Sequence, residues 1–170
     1  SYQFILYWCI NYTYINRKLN LDILNKDYSN LTPNQRITRL YKDFKEKEIM
    51  LTSSFAASSA MLLKLFSDVN SEQLIYFIDT RYHFKETLIY KEYLTKLYGL
   101  NVKDIKAEKS KFNQTKINQT WIKDPNRCCN INKVEPLENL KSKYKICFQS
   151  NFLITFELEK LLQKFTLNLL

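Results

Sequence analysis

Ile49-Met50-Leu51-Thr52-Ser53-Ser54-Phe55-Ala56-Ala57-Ser58-Ser59 passes from an apolar run into a cluster of small and hydroxyl residues, and from Ser59 to Phe66 the apolar spacing becomes helical. A second continuous apolar run, Leu74-Ile75-Tyr76-Phe77-Ile78, follows. Runs without polar alternation suit strands buried on both faces, as in a parallel sheet. Glu86 to Tyr98 predicts another helix, with Leu94, Leu97 and Tyr98 inward and Gly99 as its stop, and Leu100-Asn101-Val102 begins a third strand. The order is β-α-β-α-β, which assigns the chain to the α/β class. Such crossovers are right-handed, and the ligands of such sheets bind at the carboxyl ends of the strands.

Upstream of this unit, Thr32 can cap a helix, Pro33 suits its first position and Gln35 completes a capping box. Ile37, Leu40, Tyr41 and Phe44 then form one apolar stripe, opposite Arg36, Arg39, Lys42 and Asp43. Downstream, residues 106–127 are rich in Lys, Asn, Gln and Thr around a lone Trp121 and read as a long surface excursion.

The chain has 170 residues and a mass of 20.5 kDa, enough for one domain with a real core. The hydrophobic share of 45% rules out global disorder, and a single Gly rules out a collagen-like chain. The net charge of +9 would serve a small anionic ligand. Much of it follows from a Lys, Asn, Ile and Tyr bias expected of AT-rich coding, so nucleic acid is not an expected partner. Cys9, Cys128, Cys129 and Cys147 do not call for disulfides in a domain this large, and no convincing secretory signal precedes them. The apolar stretch from Tyr2 to Ile15 is too short to cross a bilayer, so no membrane association and a cytoplasmic location are expected.

Three segments carry chemistry. Thr52 to Ser59 sets five hydroxyls between a strand and a helix, where backbone amides and the helix dipole hold anions; a Ser-rich cap is the plainer alternative. Asp79 and Thr80 end the second apolar run at the expected ligand crevice, and His83, the only histidine, is given no catalytic role. Cys128-Cys129 can ligate neighbouring irons of a cluster, or can be two ordinary thiols, one buried and one exposed.

Together these segments resemble the assimilatory adenylylsulfate and phosphoadenylylsulfate reductases. Thr52 to Ser59 is similar to the family's Ser-Thr-Ser-Phe-Gly-Ala loop, and Phe77-Ile78-Asp79-Thr80-Arg81-Tyr82-His83-Phe84-Lys85-Glu86-Thr87 to its Phe-Leu-Asp-Thr-Gly…Phe-Pro-Glu-Thr segment. Asp124 to Leu137, with Arg127-Cys128-Cys129 and Lys133-Val134-Glu135-Pro136-Leu137, resembles its Arg-Cys-Cys…Arg-Lys-Val-Glu-Pro-Leu segment. The resemblance covers roughly Leu21 to Tyr144 of a single nucleotide-binding domain spanning 1–170, with atypical ends at 1–18 and 147–170.

It implies a Rossmann-like parallel sheet of the adenine nucleotide alpha-hydrolase or PP-loop type. It also implies reduction of adenylylsulfate, or of its 3′-phosphorylated form, to sulfite and AMP or adenosine 3′,5′-bisphosphate, with thioredoxin or glutaredoxin as thiol donor. The loop of Ser53, Ser54, Phe55, Ala56 and Ala57 would hold the phosphosulfate, and Asp79 and Thr80 would help form the nucleotide pocket. Cys128 and Cys129 would supply two of the four ligands of a 4Fe-4S cluster, and Lys133 would lie between cluster and sulfate. Ala56 and Arg81 stand where the family has Gly, Lys85 where it has Pro, and Asn132 where it has Arg. The family's second cysteine pair and its nucleophilic cysteine have no counterparts here, so no catalytic residue is assigned. The apolar segment from Cys147 to Leu170, with Phe156, Leu158, Leu161, Leu162 and Phe165, reads instead as a terminal helix, and a truncated or frameshifted reading frame is expected. The competing readings are a non-catalytic adenine-nucleotide-binding relic and a PP-loop ATP pyrophosphatase, the latter without its Ser-Gly-Gly-x-Asp-Ser loop.

Overall fold

A computed structural model of the chain describes residues 27–149. Helix α1 (Pro33–Asp43) begins where the spacing predicts. The Thr32 hydroxyl accepts from the Gln35 amide at 3.4 Å, and the Gln35 side chain accepts from the Thr32 amide at 2.9 Å. Ile37, Leu40 and Phe44 bury their side chains, with Tyr41 packed beside them. Arg36, assigned above to the outer face, is instead only 5% exposed. Its guanidinium turns back to donate to the carbonyls of Leu31 at 2.9 Å and Ser29 at 2.8 Å, which replace water around the charge.

The sheet comprises β1 (Ile49–Ser53), β2 (Leu74–Ile78), β3 (Asn101–Ile105) and β4 (Ile146–Gln149), in the order β3-β2-β1-β4. All three pairings are parallel, with Leu51 opposite Ile75, Ile75 opposite Val102 and Met50 opposite Cys147. Between the strands run α2 (Ala60–Val69), entered through a 3-10 turn over Ala57–Ser59, and α3 (Lys85–Tyr98). Because side chains alternate along a strand, Ile49, Leu51, Ile75 and Phe77 share one face. There they pack with Leu40, Leu63, Phe66 and Leu94 from the three helices. Each such side chain fully removed from water contributes about 1.5–3 kcal/mol.

Met50, Thr52 and Tyr76 point to the opposite face and are also buried, as continuous apolar runs require. There the Tyr76 and Tyr144 hydroxyls meet at 2.6 Å. Burial, and then the bond to Tyr76, pushes the Tyr144 phenol up from its ordinary value. β4 is clamped at its entry: the Lys145 amide donates to the Glu48 carbonyl at 2.9 Å, and the Lys145 ammonium pairs with the Glu48 carboxylate. That ammonium, with the Lys45 amide, holds Glu48 below the usual carboxylate range.

Three further expectations change. Leu97 is 53% exposed, because the inward ridge of α3 is Tyr90, Leu94 and Tyr98 at four-residue spacing and Leu97 lies about 100° from Tyr98. Residues 106–127 are largely helical rather than a loop: α4 (Lys109–Ile117), α5 (Thr120–Lys123) and α6 (Pro125–Cys129) precede a π turn over Asn130–Val134 and α7 (Glu135–Lys141). Cys147 belongs to β4 and does not open a terminal helix; Phe156 to Phe165, like Cys9 and the stretch 1–18, lie outside the described residues. Gly99 does stop α3, at φ +61°, a conformation that strains any residue with a Cβ. No helix among the described residues is long and apolar enough to cross a membrane.

Candidate functional site

Strand order reverses at β1, whose neighbours are β2 on one side and β4 on the other. In an open parallel sheet the crevice at the carboxyl end of that switch point is where ligands bind. The segment leaving β1 there is Ser54-Phe55-Ala56. The Ser53 hydroxyl, buried with its residue, accepts from the Phe55 amide at 3.0 Å and closes a tight turn. The turn puts Phe55 at φ 54° and drives its ring into the core, 1% exposed and edge-on to Phe77 at 5.7 Å. Ala56, which stands where the resembled family has Gly, has φ −64° and carries no strain. Of the five residues nominated in this loop, Ser54, Ala56 and Ala57 remain accessible, while Ser53 and Phe55 hold the loop from beneath.

The neighbouring loop, after β2, is built by its own polar side chains. The Asp79 carboxylate accepts from the Arg81 amide at 2.8 Å, and the Thr80 hydroxyl from the Tyr82 amide at 3.3 Å. Burial alone would raise the Asp79 pKa, but the Arg81 amide and the Lys106 ammonium at 3.1 Å outweigh it and hold the carboxyl below the usual range. The Asp79 amide donates to Ile105 at 2.8 Å, joining this loop to β3. His83 lies against Phe77 at 4.8 Å, and its Nε2 is 2.9 Å from the Ile78 carbonyl and 3.4 Å from the Thr80 amide nitrogen, so the imidazole braces the turn.

Arg81, which stands where the resembled family has Gly, takes the left-handed conformation, at φ 61°. Its guanidinium lies 4.5 Å from the centre of the Phe112 ring and donates to the Ala107 carbonyl at 3.3 Å. Tyr82 is wedged between Phe112 at 5.6 Å and Trp121 at 5.7 Å. The helical excursion is thereby fastened to the mouth of the sheet. Sequence reasoning missed this contact set; the available signals were the lone Trp121 and the oversized residue at 81.

At the far end of the excursion, Asp124 caps α6 by accepting from the Arg127 amide at 3.0 Å, and Pro125 takes the first helical position. Consecutive helical residues differ by about 100° in direction. Cys128 accordingly faces inward, 7% exposed, and Cys129 faces out. Asn132 folds back on Cys128 from the π turn, and Lys133 beside it is half-buried. An ion pair of 2.6 Å between Lys111 and Glu135 ties α4 to α7.

The described residues do not complete a four-thiolate site. Among them Cys147 is the remaining thiol, 3.6 Å from the Met50 sulfur on the sheet, and no group of three or more His, Cys, Asp or Glu side chains converges.

Residues 48–150 match the family described as the phosphoadenosine phosphosulfate reductase domain. The chain is 33% identical to an adenosine 5′-phosphosulfate reductase of Mesorhizobium japonicum over 125 residues, covering 71% of this chain and 48% of that protein. It is 34% identical over 101 residues to one of Bacillus mycoides, covering 58% of this chain and 43% of the other. The chain thus spans about half the length of the curated relatives it matches. In solved structures, a phosphoadenylyl-sulfate reductase from Candida auris, crystallised as a phosphate complex, superposes with a TM-score of 0.65 at 20% identity. That superposition covers 77% of this chain and 66% of the other, and it establishes the fold.

Proposed function

The chain belongs to the phosphoadenosine phosphosulfate reductase domain family, and from that premise we propose that it binds adenosine 5′-phosphosulfate, or its 3′-phosphorylated form, as part of a sulfonucleotide reductase. The observation that carries the reading is the turn after β1. Its side chains withdraw into the core, leaving Ser54, Ala56 and Ala57 accessible at the switch point, just ahead of α2. An anion there meets the positive end of the helix dipole without a bulky side chain in between. Asp79 and Thr80 border the same end of the sheet, and Lys133 would add a cation for sulfate oxygens.

The reaction proposed for the whole protein belongs to assimilatory sulfate reduction and takes sulfur from the +6 to the +4 state. A thiolate attacks the sulfate sulfur, AMP departs with the electrons of the S–O bond, and a thioredoxin or glutaredoxin dithiol releases sulfite from the S-sulfonate as its own disulfide forms. Cys128 and Cys129 would give two of the four thiolates of a 4Fe-4S cluster; such a cluster would tune the electrostatics next to the sulfate. The thiols of Cys128 and Cys129, which form no disulfide, support a reducing compartment such as the cytoplasm. The cysteine pair favours the unphosphorylated substrate.

The test is anaerobic incubation of the whole protein, reconstituted with iron and sulfide, with adenosine 5′-phosphosulfate and reduced thioredoxin. Thiol-dependent sulfite release supports the reductase reading. Its absence, with binding retained, reduces the function of this chain to nucleotide binding.

A further inference from the structure

We propose that Asn132 is a positioning residue that fixes the sulfur of Cys128 and so makes two adjacent cysteines unequal. Asn132 is 2% exposed. Its Nδ2 donates to the Cys128 carbonyl at 3.0 Å, to the Cys128 Sγ at 3.5 Å and to Thr115 Oγ1 at 3.2 Å. Thr115 is itself buried and donates to the Phe112 carbonyl at 2.7 Å, so it meets Asn132 as an acceptor. Turning the amide over would aim an oxygen at the Cys128 carbonyl, so only one orientation is chemically sound.

That orientation leaves Asn132 Oδ1 buried without a hydrogen-bond partner. Buried amide oxygens are nearly always paired, and an unpaired one calls for an explanation. Here the donor half of the amide is fully engaged with Cys128 and Thr115, and the acceptor half is left over. A residue needed only to fill space would be an aliphatic one of the same shape. Asn132 lies within the π turn over Asn130–Val134, four residues after Cys128, and the chain continues from there into α7. Cys129, one position on, has no such restraint and is exposed.

This inference concerns the chain's own side chains and does not depend on a cluster being assembled. It is tested on the full chain in reducing buffer with chelator. The χ1 rotamer of Cys128, read from the three-bond couplings of its Hβ protons by NMR, is expected to be single in the native chain and should become averaged in Asn132→Leu. Mass-spectrometric alkylation should show Cys129 reacting first in the native chain. Cys128 should gain about tenfold in rate in Asn132→Leu, the size of effect one such hydrogen bond supports. Thr115→Val, which removes one anchor of the amide and leaves Cys128 untouched, should give a smaller shift in the same direction, and it decides the matter if Asn132→Leu does not fold. A Cys128 side chain that keeps a single χ1 rotamer in a folded Asn132→Leu variant overturns the proposal, even if alkylation quickens, because easier access alone would change the rate but not the rotamer.

Discussion

Phe55 at φ 54° and Arg81 at φ 61° place two non-glycine residues in left-handed backbone at the carboxyl ends of adjacent strands. Such a conformation costs about 1–2 kcal/mol per residue with a Cβ. Phe55 offsets it by burying a ring, and Arg81 by its contacts with Phe112 and Ala107. Arg81→Ala keeps the strain and loses the contacts, whereas Arg81→Gly loses the contacts and relieves the strain. The glycine variant should therefore be the more stable of the two by about 1 kcal/mol in thermal or urea unfolding; equal stability would mean that the backbone at 81 is not strained. Asp79 gives a pH signature. Its folded pKa is depressed, so its contribution is present above the unfolded value of about 3.9 and is lost as pH falls through the lower folded value. Asp79→Asn should cost on the order of 1 kcal/mol at neutral pH, a gap that closes below about pH 4. A gap that persists in acid would place the effect in packing instead of charge.

Helix α1 and the two central strands were legible in the sequence because each carries its own local signal. Thr32, Pro33 and Gln35 mark the start of α1, and replacing Thr32 by Ala should destabilise the chain by about 1 kcal/mol, read by urea unfolding. β1 and β2 announce themselves as unbroken apolar runs, and Leu51→Ala in the centre of the sheet should cost about 2–5 kcal/mol in the same assay. β4 was not legible: four residues, Ile146–Gln149, gain strand character only from pairing with β1 nearly a hundred positions earlier and from the Glu48–Lys145 clamp. The helices between 109 and 129 escaped notice for a different reason. Their residues are mostly exposed, and their anchorage consists of single contacts such as Tyr82 with Phe112 and Trp121, so no apolar period betrays them. In the candidate site, the positions of the two loops followed from the β-α-β-α-β order, but which side chains face outward did not. Phe55 looks as ligand-ready as Ala56 until the turn closed by Ser53 sends it into the core.

For the molecule as a whole, the four parallel strands, the reversal of order at β1 and the small-residue turn beside it meet at one end of the sheet, the place proposed above for the anion. A net charge of +9 adds a favourable field for a sulfonucleotide at modest ionic strength. The turn after β1 is the proposed anion site. Its most direct test is calorimetric titration of the chain with adenosine 5′-phosphosulfate, beside an Ala57→Asp variant that puts a carboxylate on the exposed rim of that turn. Saturable one-site binding is predicted, with thermal stabilisation of about 2.7 kcal/mol at a ligand concentration of 100 Kd. The variant should keep its melting temperature and lose affinity by at least about tenfold, since a like charge beside the anion costs more than about 1 kcal/mol near a surface. No heat and no stabilisation with the folded chain, or undiminished binding by Ala57→Asp, would contradict it.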